Sequence, residues 1–210
     1  MSVNHYVSKA DEYPGRLLSG SPKDISSSLV ELKNKHTSFC LEIGSGSGAH
    51  LISRAEANLG VGHIGVELRF KRAVRTIEKA RSDNLYVVRE KVENIWPGLR
   101  QLKFDSVFVN FPDPWPRRKS WKHRLLSGEQ LQFIRRLLAS SGSIELKSDH
   151  LDYFNWAKRQ LEVSNDFDME HFTHDFYSEV DWESFQFKSE FEQLFYYQNL
   201  KINYLRARAR

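Results

Sequence analysis

The sequence predicts an α/β protein built on a mostly parallel sheet, with helices on both faces and an antiparallel strand near the C-terminal end. Three observations carry this. Short apolar runs bounded by Gly, Asn, Asp or Pro recur between residues 38 and 148. Segments with apolar residues at three- and four-residue spacing lie between them, which is the helical signature. Strand and helix in alternation require crossover connections, and crossovers make neighbouring strands parallel.

In chain order, a polar N-terminal arm (about 1–24) precedes a helical pattern from Ile25 to Lys35. The strand-like runs are SFCLEI (38–43), HIGVEL (63–68), LYVV (85–88), FDSVFVNF (104–111) and SIELKS (143–148). The helical stretches among them are GAHLISRAEANLG (48–60), RFKRAVRTIEKARS (69–82) and SGEQLQFIRRLLASSG (127–142). The C-terminal third differs. FDMEHF (167–172) and NLKINYLRARA (199–209) read as two further strands, antiparallel to the rest, joined by an aromatic-rich segment. The whole, 1–210, reads as a single domain with no repeat and no low-complexity linker.

Composition narrows the function. Hydrophobic residues make up 40% of the 210, and no apolar stretch reaches the roughly 18 residues that a spanning helix needs. The N-terminus has no apolar core of the kind a secretory signal carries, and Cys40 is the only cysteine, so a cytoplasmic setting without an intrachain disulfide is expected. Cys40 reads as a small buried side chain. The net charge of +4 is mild, but cations gather in RRKSWKHR (117–124) and RARAR (206–210), the distribution of a phosphate footprint. A solvated loop and a frayed tail give the same pattern.

In a parallel sheet the working site lies beyond the carboxyl ends of the strands. LEIGSGSG (41–48) leaves the first long strand and enters a helix there, with Gly44, Gly46 and Gly48 permitting positive φ and close approach to a ligand. Glu67, at the end of the next strand, is placed to accept hydrogen bonds from ribose hydroxyls. A nucleoside cofactor is expected. Gly44, Gly46 and Ala49 also satisfy a dinucleotide pattern, which leaves NAD open. Glu42 argues otherwise, because an acid there suits an ammonium or sulfonium group, and no hydride-transfer residue set is evident.

Two residue groups identify the sequence further. Glu42 and the glycines resemble the E/D-x-G-x-G-x-G signature of class I S-adenosylmethionine methyltransferases, whose sheet is Rossmann-like. NFPDPWPRRKSWKHR, ELKSDH (145–150) and SEFEQLF (189–195) are similar to the single-chain bacterial tRNA (guanine-N7)-methyltransferases, over about Phe39 to Leu205. The resemblance implies transfer of a methyl group from S-adenosylmethionine to N7 of a guanosine in the tRNA variable loop, nucleotide 46, with no protein partner required. It implies that Glu42 and Glu67 hold the cofactor and that Asp113 serves both cofactor and guanine. It further implies that Arg117, Asp149, Ser189, Glu190, Phe191 and Glu192 contact the tRNA nucleotide. Arg117 stands where lysine is common, Ser120 where histidine is usual and Ser189 where threonine is usual. Lys91 stands where an Asp or Asn reads adenine; adenine recognition then falls to backbone groups or to a neighbour such as Glu90, and that contact stays unassigned.

The residue chemistry agrees with this reading. Guanine N7 carries an in-plane lone pair and no proton, so alkylation there needs alignment and no general base. An ionised Asp113 accepts from the N1–H and N2–H edge of guanine. Arg117, Arg118, Lys119, Lys122 and Arg124 supply cations for phosphates, and Trp115 or Trp121 a stacking surface. Taken alone, Trp115 reads first as core and Trp121 equally as core or stacking surface; Asp149 also reads as a helix cap, and SEFE as a capping box in which Glu192 reaches back to Ser189. NFPDPW also resembles the N/D-P-P-Y/F motif of adenine amino-methyltransferases, but Phe111 and Asp113 break its register. A non-catalytic tRNA-binding module on the same fold is the other alternative. No metal site is suggested, since His171 and His174 have no evident carboxylate or cysteine cluster and read as solvent-exposed.

Overall fold

The computed structural model describes residues 12–210. The chain forms two compact units: the first runs to Lys103 and takes in Phe187–Ser189, and the second comprises Phe104–Gln186 and Glu190–Arg210.

The first unit is built on β1 (Leu17–Leu18), β2 (Phe39–Ile43), β3 (Gly62–Val66) and β4 (Leu85–Val88). They pair in the order β1-β4-β3-β2, every pair parallel. Between them run α1 (Pro22–Glu31), α2 (Ala49–Ala57) and α3 (Phe70–Lys79), with α4 (Val92–Leu99) after β4. Helix α1 starts ahead of the expected Ile25 because Ser21 and Asp24 form a reciprocal capping box with Pro22 in the first turn. Its last turn tightens into a 3-10 segment, Leu32–Asn34. The apolar spacing of α2 and α3 buries Leu51, Ala55, Ala73, Val74 and Ile77 against Leu17, Leu85 and Val87. Each Leu, Val or Ile among them contributes about 1.5–3 kcal/mol through burial. The second half of the expected polar arm is therefore structured. Leu17 and Leu18 are buried, and the Arg16 and Leu18 carbonyls accept from Val87 and Arg89 N–H, both at 2.8 Å. Residues 1–11 lie outside the described residues.

The second unit holds β5 (Phe104–Asn110), β6 (Leu138–Ser148), β7 (Phe167–Thr173) and β8 (Asn203–Ala209), in the order β5-β6-β8-β7. β5 and β6 are parallel, and β8 runs antiparallel to both β6 and β7. Only β8 is reversed; β7, expected to be antiparallel as well, runs parallel to β5 and β6. The helices are α5 (Gly128–Leu137), α6 (Leu151–Val163) and α7 (Glu190–Tyr197), with 3-10 turns at Arg118–His123 and Phe176–Ser178. Helix α5 stops five residues short of the expected 142. Leu138 turns extended (φ −68°, ψ 142°) and opens β6, which is irregular where Phe104 and Ser106 face Leu138 and Ser143. Gly142 sits in that irregularity, where an added Cβ would stand 2.8 Å from the Phe104 carbonyl oxygen.

The molecule is thus of the α/β class with mostly parallel strands. Among the described residues, no helix is long and apolar enough to cross a membrane.

Candidate nucleoside and RNA site

In the first unit the glycine turn, Glu67 and Glu90 all follow the carboxyl ends of parallel strands. Gly44 and Ser45 N–H donate to the Val66 carbonyl (2.8 and 3.1 Å), and Glu67 N–H donates to that of Val88 (3.0 Å). Gly44, Gly46 and Gly48 adopt φ of 79°, 58° and 83°, which L side chains disfavour. They differ in what surrounds them. A Cβ on Gly44 or Gly46 would meet nothing within 4 Å, which leaves backbone open to a ligand. A Cβ on Gly48 would stand 2.3 Å from Thr76 Cγ2, so Gly48 is required for α2 to approach α3.

Glu67 is 7% exposed and already organises this turn: Oε2 accepts from Gly46 N–H (3.0 Å) and Oε1 from Arg69 N–H (2.7 Å). Two carboxylate oxygens offer about four lone-pair sites, so acceptor capacity remains for hydroxyl donors. Glu42 is 2% exposed, and its Oε2 lies 3.2 Å from Nδ1 of buried His50 on α2. His50 is a partner the sequence reading missed; only its place as the second residue of the helix after the glycines signals it. At the start of α4, Glu90 Oε1 accepts from Lys91 N–H (2.7 Å) and Asn94 Nδ2 (3.0 Å). Those hydrogen bonds, the backbone one first, hold the Glu90 carboxyl below its usual range. Glu90 is thus engaged by the Lys91 N–H and the Asn94 side chain at the start of α4, and Lys91, the N-cap residue, is exposed.

In the second unit the PDPW loop leaves β5. Its two ends, Phe111 (φ 52°) and Trp115 (φ 43°), are both left-handed. For bulky side chains each such residue costs about 1–3 kcal/mol and persists only where neighbours enforce it. Phe111 is held by its N–H donating to the Lys147 carbonyl (2.9 Å) and by ring contacts with Phe191 and Phe195 of α7, at 5.9 and 5.3 Å. Trp115 is held by Arg124, whose Nε donates to the Pro114 carbonyl (2.9 Å) and Nη2 to the Trp115 carbonyl (3.3 Å). Asp113, exposed, stands at the crest of this loop between two prolines.

Most of the expected RNA residues belong to the same unit. Phe191 packs on Phe111 yet stays 48% exposed, and it stacks with Phe195 at 20°. Asp149 is exposed two residues beyond Lys147, but it is not the cap of α6: His150 is, accepting from Tyr153 N–H through Nδ1 (3.3 Å). Arg117, Arg118, Lys119 and Lys122 are exposed on or beside the 3-10 turn. Trp115 and Trp121, at 39% and 37% exposure, are not core residues. Glu190 is exposed, and Ser189, which belongs to the first unit, is buried.

Three expectations need correction. Arg124 is 2% exposed and lies beneath the loop, its guanidinium carbon 4.4, 4.7 and 5.4 Å from the rings of Trp121, Trp156 and Tyr153. It is not presented to phosphates. Glu192 is fully buried, its Oε1 2.6 Å from Lys147 Nζ, with Phe176 and Phe185 rings 4.4 and 4.9 Å from the ammonium. That ion pair fixes α7 to β6, so Glu192 reaches this site as an anchor. The terminal RARAR run faces acids on β7: Arg206 and Arg208 pair with Glu170, and Arg210 with Asp168. His171, which the sequence left without a carboxylate, pairs with Glu179 (2.7 Å); both it and His174 are exposed. Among the described residues no group of three or more His, Cys, Asp or Glu is arranged to hold a metal ion.

Comparisons with known proteins fit this geometry. A family model described as a putative methyltransferase matches residues 36–205. A Rhodospirillum rubrum tRNA (guanine-N(7)-)-methyltransferase is 36% identical over 119 residues, covering 55% of this chain and 47% of that protein. One from Mycoplasma mycoides is 27% identical over 195 residues, covering 89% and 87%. A bifunctional glycosyltransferase/methyltransferase of Fusobacterium nucleatum is 29% identical over 97% of this chain. The match spans only 32% of that longer relative, and about half of the Rhodospirillum protein. A solved antibiotic-related methyltransferase superposes with a TM-score of 0.63 over 92% of this chain and 96% of its own, at 17% identity. A 16S rRNA (adenine(1408)-N(1))-methyltransferase variant from Catenulisporales acidiphilia, crystallised with cosubstrate SAM, gives 0.58 over 91% and 92%, at 15% identity. At such identities the likeness establishes the fold. The chain belongs to the methyltransferase family that this model describes, in which curated relatives bear the name tRNA (guanine-N(7)-)-methyltransferase.

Proposed function

We propose that the chain methylates N7 of a guanosine in the tRNA variable loop, with S-adenosylmethionine as donor. The observation that carries this reading is the crest of the PDPW loop. An exposed carboxylate, Asp113, is held on a backbone pinned at both ends, beside a cationic 3-10 turn and the exposed ring of Phe191. The names of the relatives point to the same substrate.

S-adenosylmethionine, when bound, supplies an electrophilic methyl group. Gly44 and Gly46 offer it open backbone, and Glu67 accepts from its ribose hydroxyls while keeping the turn in shape. Glu42, backed by His50, provides negative potential for its cationic end. Gly48 is withdrawn from the binding set, since its role is packing on Thr76. Asp113 accepts from guanine N1–H and N2–H, which fixes the base with its N7 lone pair directed. Because N7 holds no proton, no residue is asked to act as base, and the protein's contribution is alignment. Arg117, Arg118, Lys119 and Lys122 position the RNA by its phosphates, and Phe191 stacks on a base next to the target. Asp149, Ser189 and Glu190 are proposed nucleotide contacts on the residue pattern alone.

The test is to incubate the pure protein with unmodified tRNA and labelled S-adenosylmethionine, digest, and identify the nucleoside by mass spectrometry. 7-Methylguanosine is expected. N6-methyladenosine would replace this reading with the adenine one. No product, with no heat on titrating S-adenosylmethionine, would make the chain a tRNA-binding module.

A further inference from the structure

Among the five cations of RRKSWKHR, Arg124 alone is buried. Its neighbours Arg117, Arg118, Lys119 and Lys122 face solvent, as phosphate-binding groups must. The guanidinium of Arg124 instead spends two N–H groups on consecutive carbonyls, Pro114 and Trp115, on either side of the left-handed Trp115 backbone. Its planar face is enclosed by Trp121, Trp156 and Tyr153. A planar fork suits two carbonyls at fixed separation, and a lysine ammonium cannot reproduce it. A tryptophan has no intrinsic preference for φ of 43°, so the conformation depends on what grips it. At the other end of the loop, Phe111 has its own grip from the Lys147 carbonyl and α7.

We propose that Arg124 is a positioning residue: it locks the Pro114–Trp115 limb, so that Asp113 is set in its working direction before RNA arrives. This rests on the proposed function of Asp113. Arg124 touches neither base nor phosphate, and it acts only through the loop.

Arg124→Lys separates this role from phosphate binding, because it keeps the charge and removes the fork. Single-turnover methylation of tRNA should fall at least about tenfold. Affinity for S-adenosylmethionine and the salt dependence of tRNA binding should stay as in the wild type, since no phosphate contact is lost. The decisive comparison is a double-mutant cycle with Asp113→Asn. If Arg124 works through Asp113, adding Arg124→Lys to Asp113→Asn lowers the rate by less than about twofold further. Equal tenfold losses in both backgrounds would overturn the proposal, as would a reduced salt slope or a fully active Arg124→Lys.

Should Arg124→Lys fail to fold, Trp121→Leu removes one wall of the cage that holds the guanidinium against the Pro114 and Trp115 carbonyls, and so loosens both bonds. The 19F signal of 5-fluorotryptophan at Trp115 in the RNA-free protein then reports the loop. Broadening or doubling of that signal is expected, and an unchanged signal would refute the lock. A wild type that yields no 7-methylguanosine fails the parent reading. A wild type that yields it, with an indifferent Arg124→Lys, fails this proposal alone.

Discussion

Replacing Lys147 by Met breaks the ion pair that ties α7 to β6. The Lys147 and Glu192 side chains are 5% and 0% exposed, and their charged atoms stand 2.6 Å apart. An exposed pair at this distance would contribute at most about 1 kcal/mol. Here removal of the ammonium leaves a carboxylate in a fully enclosed place, where truncating one partner of a buried pair costs about 3–5 kcal/mol. The aromatic contacts of the ammonium with Phe176 and Phe185 are lost as well, and each desolvated contact of this kind is worth up to about 2 kcal/mol. For a chain of this size each kcal/mol shifts Tm by about 2–4 °C, so Lys147→Met should melt about 6–20 °C lower. Replacing both partners, Lys147→Met with Glu192→Leu, removes the second buried charge as well and should recover most of the loss. Thermal and urea unfolding of the two single variants and the double one measure this. A Lys147→Met shift under about 2 °C, or a double variant no better than the worse single one, would refute the reasoning.

Three further outcomes follow from the geometry. Glu67→Ala removes a proposed ribose acceptor and frees Gly46 and Arg69 N–H; with bonds to a charged acceptor worth about 1.5–3 kcal/mol, calorimetry should show S-adenosylmethionine bound at least about tenfold more weakly. An unchanged Kd would remove Glu67 from the site. Lys119→Ala with Lys122→Ala should flatten the salt dependence of tRNA binding by about 0.7–0.9 in slope per lost phosphate contact, whereas Arg208→Ala, whose parent side chain pairs with Glu170, should leave it alone. Equal slopes for wild type and the double variant would make the 3-10 turn a solvated loop. His63, 1% exposed on β3, has its pKa lowered to about 4, by burial first and then by the nearby Arg54 charge. Unfolded chains protonate this imidazole near 6.5 while the folded protein resists, so the stability it contributes is complete above about pH 6.5 and is lost as pH falls toward 4. That loss amounts to about 3 kcal/mol. His63→Leu should flatten the acid limb of a urea-midpoint profile, and an identical limb would show that His63 does not drive it.

The parallel strands were legible because a sheet buried on both faces writes short, nearly continuous apolar runs, as in LYVV and FDSVFVNF, each closed by a turn residue. The glycine turn was legible because left-handed backbone leaves few alternatives to Gly. Gly48 shows the limit of that signal: three glycines look alike in sequence, and only packing against Thr76 separates the structural one from the two open ones. Charge was the least legible property. RARAR and RRKSWKHR read as two similar footprints, yet the first is matched by Glu170 and Asp168 across the β7–β8 pair, and the second divides into four exposed cations and one buried brace. Partners distant in sequence decide such cases, as Glu192 does for Lys147. Helix periodicity ran through Leu138 because leucine at the next core position suits a helix or a strand, and the pairing with Phe104 chose the strand.

We propose that the methyl group goes to N7 of one guanosine in the tRNA variable loop. The direct measurement compares single-turnover methylation of two transcripts that differ only in that nucleotide, guanosine in one and adenosine in the other, with 7-methylguanosine quantified in each. The guanosine transcript should accumulate the modified nucleoside toward one per molecule, and the adenosine transcript should show none above background. Equal methylation of both transcripts would contradict the account.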